Sequence, residues 1–147
     1  MFRALSLLPL PLLYAIFAAV AWCLRIFGWR RDLVADKLGR CLPELVPADR
    51  DAILRGFYAY LGELAAEVLH ACRIPRASLE RRLRFENPEL VLQALQAGRR
   101  VMLIAAHHCN WEWLVQRCSI AFGAPLVAAY KPASWTQADR TLGFLRA

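Results

Sequence analysis

Residues Ala4–Leu24, ALSLLPLPLLYAIFAAVAWCL, run for 21 positions without a charge, and no other stretch constrains the fold as strongly. As a helix they would be about 31 Å long, close to the hydrocarbon thickness of a bilayer. Pro9 and Pro11 stand near the start, where a missing N–H costs a helix least. A cleaved signal peptide is the main rival. Its apolar part is shorter and ends at small residues, whereas Trp22, Cys23, Leu24 and Arg25 close this run. The sequence therefore predicts a membrane-anchor helix within residues 1–29, with a shallow interfacial helix as the alternative. Arg25, Arg30 and Arg31 outweigh Arg3 and the amino terminus, which puts the remainder of the chain on the cytoplasmic side.

Composition agrees with that division. Of the 147 residues 59% are hydrophobic, and 23 of the first 29 belong to that set. Net charge is +7, and Lys37 and Lys131 are the only lysines. A basic chain of this kind meets nucleic acid, an anionic membrane, or an acidic protein or substrate. No nucleic-acid motif occurs, so the last two remain. Cys23, Cys41, Cys72, Cys109 and Cys118 are odd in number and form no C-x-x-C pair. That argues against a disulfide framework or a structural zinc site and for small apolar packing residues.

Past the anchor, helical signals dominate. A short helix is expected over Arg31–Leu42, closed by Pro43. A longer one is expected over Asp49–Cys72, with Ile53, Phe57, Leu61, Leu64 and Val68 at helical spacing and Asp49 as a cap. Arg73, Arg76, Arg81, Arg82 and Arg84 face only Glu80 and Glu86 in the next segment. Such a run is either a solvated face or a grip for lipid phosphates or an acidic carrier protein, since the guanidinium fork fits both anions. Asn87, Pro88 and Gly98 then bracket a further helix. Val101–Ala106, VMLIAA, reads as a buried parallel strand, as does Leu126–Tyr130 after an intervening helix that reaches about Phe122. The expected class is α/β: an anchor helix, helices, and the first strands of an α/β sandwich.

The chemistry-bearing segment is Ala105-Ala106-His107-His108-Cys109-Asn110-Trp111-Glu112-Trp113, where the strand would end and a helix begin. His107 and Glu112 stand in an H-x4-E spacing that a strand-to-helix turn can close. A neutral imidazole takes a proton from an attacking alcohol, and a carboxylate orients the ring and stabilises the imidazolium. The helix's first N–H groups would face the developing oxyanion. Three other readings stay open on spacing alone: a core histidine with an ordinary first-turn carboxylate, a metal site using His107, His108, Cys109 or Glu112, and a nucleophilic Cys109. No metal motif such as H-E-x-x-H is present.

These residues resemble the bacterial lipid A biosynthesis acyltransferases. The likeness includes LSLLPLPLLYAI, LVADKLGRCLPE, DAILRGFYAYLGELAAEVL, NPELVLQALQAGRRVMLIAAHHCNWEWL and the later Ala129-Tyr130-Lys131-Pro132. The resemblance implies transfer of a fatty acyl chain from acyl carrier protein to a hydroxyl of a lipid A precursor, at the cytoplasmic face of the inner membrane. It implies that His107 and Glu112 are catalytic and that Arg146, beyond Asp139, supports activity. It gives Lys131 to an anionic substrate group and Asn110 to substrate binding or the shape of the turn. No sequence motif indicates a metal or nucleotide cofactor. Two strands do not close an α/β core, so residues 30–147 read as the N-terminal part of a longer acyltransferase domain, truncated here. Two alternatives are a related phospholipid or glycolipid acyltransferase, and an inactive remnant serving as a membrane-associated binding module.

Overall fold

A computed structural model describes residues 5–71, 73–106, 108–123 and 125–129. Among them are six helices: α1 (Leu10–Ile26), α2 (Arg31–Cys41), α3 (Pro47–His70), α4 (Arg76–Arg82), α5 (Pro88–Gln96) and α6 (Trp111–Phe122). The chain divides into two compact units at His70/Ala71.

The first unit is built on α1 and α3. Pro9 caps α1 and Pro11 sits in its first turn, so the helix starts after the leading leucines and is 17 residues long. It ends where Gly28 and Arg30 take positive φ values of 66° and 55°. Gly28 reaches that region at little cost, whereas Arg30 does not, and its guanidinium lies 5.0 Å from the Trp29 ring centroid. The result is an 84° bend between α1 and α2. No single described helix is long and apolar enough to cross a membrane, which corrects the one-helix anchor; the bent α1–α2 pair passes that test of length and composition together.

The buried stripe of α3 is Leu54, Tyr58, Gly62, Ala66 and Leu69. It lies one position from the expected stripe, whose members Phe57, Leu61, Leu64 and Val68 are half-buried and whose Ile53 is exposed. The displacement has a steric cause. A Cβ at Gly62 would stand 2.8 Å from the Phe17 carbonyl oxygen and 3.0 Å from Ala21 Cβ. The two backbones meet at that closely only because the α3 side of the crossing lacks a side chain. Leu13, Ala66 and Leu69 form the core around the contact, with Leu5, Leu8, Tyr14 and Phe17 packed against it. Two tyrosines satisfy their hydroxyls across it. Tyr14 donates to Glu67 Oε1 at 2.8 Å, and Tyr58 donates to the Trp29 carbonyl at 2.8 Å, pinning the turn after α1.

The second unit carries α4, α5 and α6. Pro88 starts α5, although Asn87 makes no side-chain capping bond. Gly98, at φ 71°, donates to the Leu95 carbonyl and ends it. Asn110 caps α6 and Gly123, at φ 58°, closes it. Neither expected strand forms among the described residues, and Tyr130, the last residue of the second, lies outside them. Residues 101–106 and 125–129 have no ladder partner among the described residues, and Met102, Ile104 and Val127 are 85%, 90% and 93% exposed. The α/β sandwich is therefore corrected to an all-helical arrangement of the described residues. Continuous apolar character marks burial in a sheet only when a neighbouring strand takes up the backbone N–H and C=O groups.

Candidate active site

The turn into α6 is assembled from local backbone chemistry. Asn110 is extended (φ −91°, ψ 90°), and its Oδ1 accepts the Trp113 N–H at 3.1 Å. One of the helix's unmet donors is thus already occupied, leaving fewer for an oxyanion than expected. Cys109 precedes it at φ 55°, an uncommon conformation for a residue with a Cβ. Its exposed Sγ lies 3.0 Å from His108 Nδ1.

Glu112 occupies the first turn of α6 and is only 3% exposed. Burying a carboxylate is costly unless donors and positive potential meet it. Trp111 Nε1 donates to Glu112 Oε1 at 3.1 Å, and the helix N-terminus supplies the favourable end of the dipole. Trp113 is buried beside it, with its Nε1 free of any hydrogen bond among the described residues. The Arg82 guanidinium covers the Trp113 ring at 5.6 Å.

A second layer holds α6. Arg117 Nε donates to the Leu83 carbonyl at 3.2 Å while its guanidinium lies 5.3 Å from the Phe85 ring, and Phe85 packs on Phe122 at 5.2 Å. Gln116 Nε2 donates to the Ala71 carbonyl at 3.0 Å. Buried Leu79 lies in α4, and buried Cys118 in α6. Burial pushes the Cys118 thiol up, with the Arg117 charge pulling partly back. The hydrogen bond from Arg76 holds the Glu80 carboxyl below the usual range, with charge from Arg76 and Arg117 in support. Among the described cysteines only Cys118 suits the packing role expected of all five, since Cys23, Cys41 and Cys109 are exposed.

The structure therefore brings Glu112 and Asn110 to one helix start. His107, Lys131, Asp139 and Arg146 lie outside the described residues. The described residues contain no cluster of metal-ligating side chains. Sequence reasoning missed the Trp111–Glu112 hydrogen bond and the Arg82 and Arg117 contacts. Arg117 follows Trp113 by one helical turn and Arg82 sits in the noted arginine run, so both positions were visible, but their partners were not.

The sequence profile described as "Bacterial lipid A biosynthesis acyltransferase" matches residues 1–134, nearly the whole chain. The chain belongs to that family. Comparison with curated proteins and with solved structures gives no significant match. Membership makes this lipid A biosynthesis acyltransferase homologue a transferase, acting with an acyl donor and a lipid acceptor. The buried glutamate at the start of α6 falls inside the matched region, as does the H-x4-E spacing.

Proposed function

We propose that the protein moves a fatty acyl chain from the thioester of acyl carrier protein to a hydroxyl of a lipid A precursor, at the cytoplasmic face of the inner membrane. The observation that carries this reading is a carboxylate, Glu112, buried in the first turn of α6 within a chain that belongs to the lipid A acyltransferases. His107 is the general base. Its neutral imidazole accepts the acceptor's hydroxyl proton as the oxygen attacks the thioester carbonyl. The carrier's thiolate leaves when the tetrahedral intermediate collapses, and the imidazolium returns the proton to it. Glu112 holds the ring's orientation and stabilises the transient imidazolium, as the carboxylate does in a Ser-His-Asp triad. The nucleophile belongs to the acceptor, so no acyl-enzyme is formed. Lys131 meets an anionic group of the acceptor, and Arg146 stabilises charge at the reacting centre.

Membrane attachment in this reading runs through the first unit. Trp22, Ile26, Phe27 and Trp29 are exposed, and Arg25, Arg30 and Arg31 alternate with them. Exposed aromatic and aliphatic side chains beside arginines suit the interface of an anionic bilayer. The deciding experiment follows labelled acyl transfer from loaded carrier protein to a lipid A precursor in detergent micelles. His107→Ala is expected to lower the rate at least 10²-fold; a variant that retains near-normal turnover removes histidine from the mechanism.

A further inference from the structure

The arginine run over residues 73–84, in the second unit, is not used by the chemistry above. Arg73, Arg81 and Arg84 are exposed and make no ion pair, hydrogen bond or ring contact among the described residues. From residue 73 to 123 there are eight arginines and four glutamates, with no lysine or aspartate. Two of those glutamates do not offset the patch: Glu112 is buried, and Glu80 is held by Arg76 at 2.9 Å. The surplus positive charge around α4 is therefore open to solvent.

The patch is also fixed relative to the candidate site. Arg82, between Arg81 and Arg84, lies over the Trp113 ring, one residue from Glu112. Arg117 of α6 ties down the Leu83 carbonyl, and the Phe85–Phe122 contact closes the same junction. Residues 82–85 are thus clamped to the helix that carries the buried carboxylate.

Its neighbours distinguish protein from membrane. Around Arg25, Arg30 and Arg31 the exposed large apolar residues are Trp22, Ile26, Phe27 and Trp29. Described residues 73–86 expose none: Leu79 is buried, and Ile74, Leu83 and Phe85 are half-covered. Interfacial binding to a bilayer draws on buried apolar area as well as charge, whereas docking of an acidic protein rests on charge complementarity and a polar rim.

From these observations we infer that Arg73, Arg81 and Arg84 form the docking surface for an acidic protein that presents the acyl thioester to the turn at Glu112. The inference rests on the acyl-transfer reading and names the partner's landing site within it. Arginine keeps its charge at every physiological pH, so the surface works by geometry and ionic strength.

The test uses the full 147-residue chain and the double charge reversal Arg81→Glu/Arg84→Glu, with Arg73→Glu as an independent second variant. Binding of acyl-loaded acyl carrier protein is measured at low and at raised salt, alongside binding to phosphatidylglycerol vesicles. The double variant is expected to bind the carrier about tenfold more weakly at low salt, with a flatter salt dependence and unchanged vesicle binding. Arg73→Glu is expected to weaken carrier binding by a smaller factor. Carrier binding equal to wild type overturns the proposal, as does loss of vesicle binding with the carrier unaffected. A small thioester donor, acyl-pantetheine, separates this from failure of the chemistry. The double variant should use it as wild type does, whereas His107→Ala should not. If His107→Ala uses it normally, the acyl-transfer reading falls while the carrier-binding result still decides the surface.

Discussion

The two units solve the same problem, burying helices of modest length, by opposite means. The α1–α3 pair relies on small residues: Gly62 opposite Ala21 lets two backbones meet, and two tyrosine hydroxyls add hydrogen bonds at Glu67 and Trp29. The α4–α6 region has a thinner apolar core, in which Leu79, Trp113 and Cys118 are joined by buried Asn110 and Glu112. Arginines laid across aromatic rings and a main-chain carbonyl complete it. Close apolar packing yields rigidity without functional groups. A region that must keep a carboxylate out of water gives up apolar contacts for donors, and each buried polar group there has a high penalty if its partner is lost.

The sharpest way to probe that contrast is Glu112→Gln. The amide still accepts from Trp111 Nε1 but cannot stabilise an imidazolium. Turnover is expected to fall about 10³-fold with little change in the unfolding midpoint. A large drop in stability with activity preserved would make Glu112 a structural residue. Next in size is Gly62→Val, which drives a side chain into the Phe17 carbonyl. A loss of about 1–3 kcal/mol is expected, with amide exchange accelerated in α1 and α3. Equal acceleration in α6 would show that the two regions open together, and the contrast would fail.

Smaller effects refine it. Asn110→Ala removes the cap on α6 and is expected to cost about 1 kcal/mol, read by denaturant unfolding, with exchange rising in the first turn of α6. Tyr58→Phe deletes the bond to the Trp29 carbonyl, and a loss of about 0.5–1.5 kcal/mol is expected. An unchanged midpoint would leave the α1–α2 turn held by backbone alone. The least effect concerns Cys118. Its pKa is raised in the folded state, so its contribution is present below the unfolded value and is lost as pH rises through the alkaline range. Site-resolved alkylation at neutral pH should modify Cys23, Cys41 and Cys109 well before Cys118, and rapid labelling of Cys118 would show that α6 opens readily.

Much of the local structure was legible in advance because its causes are local. Pro88 at the start of α5 and Gly98 after its end act through the backbone within a few residues. The long helix begins at Pro47 and stops at His70, so Asp49 falls in its first turn and the run ends two residues before the expected Cys72. The site was legible as a pattern of residue types, H-x4-E in an HHCNWEW frame. The burial of Glu112 was not legible, because burial is a tertiary property: in the same region Arg82 reaches the Trp113 ring and Leu83 accepts from Arg117 across some thirty positions of sequence.

By itself, then, the sequence placed α2, α3, α5 and α6 to within about two residues, and it determined the apolar, arginine-edged N-terminus and membership in the lipid A acyltransferase family. Only the tertiary structure decided which face of α3 is buried, and it turned inward the face that carries Gly62, where two backbones meet. Only it decided that Val101–Ala106 stands without a ladder partner among the described residues, since a strand is a property of two segments and an apolar run supplies one. It also decided which arginines are committed, Arg82 and Arg117 to rings and a carbonyl, and which stay open. Charge is written in the chain, but its availability is set by what packs against it.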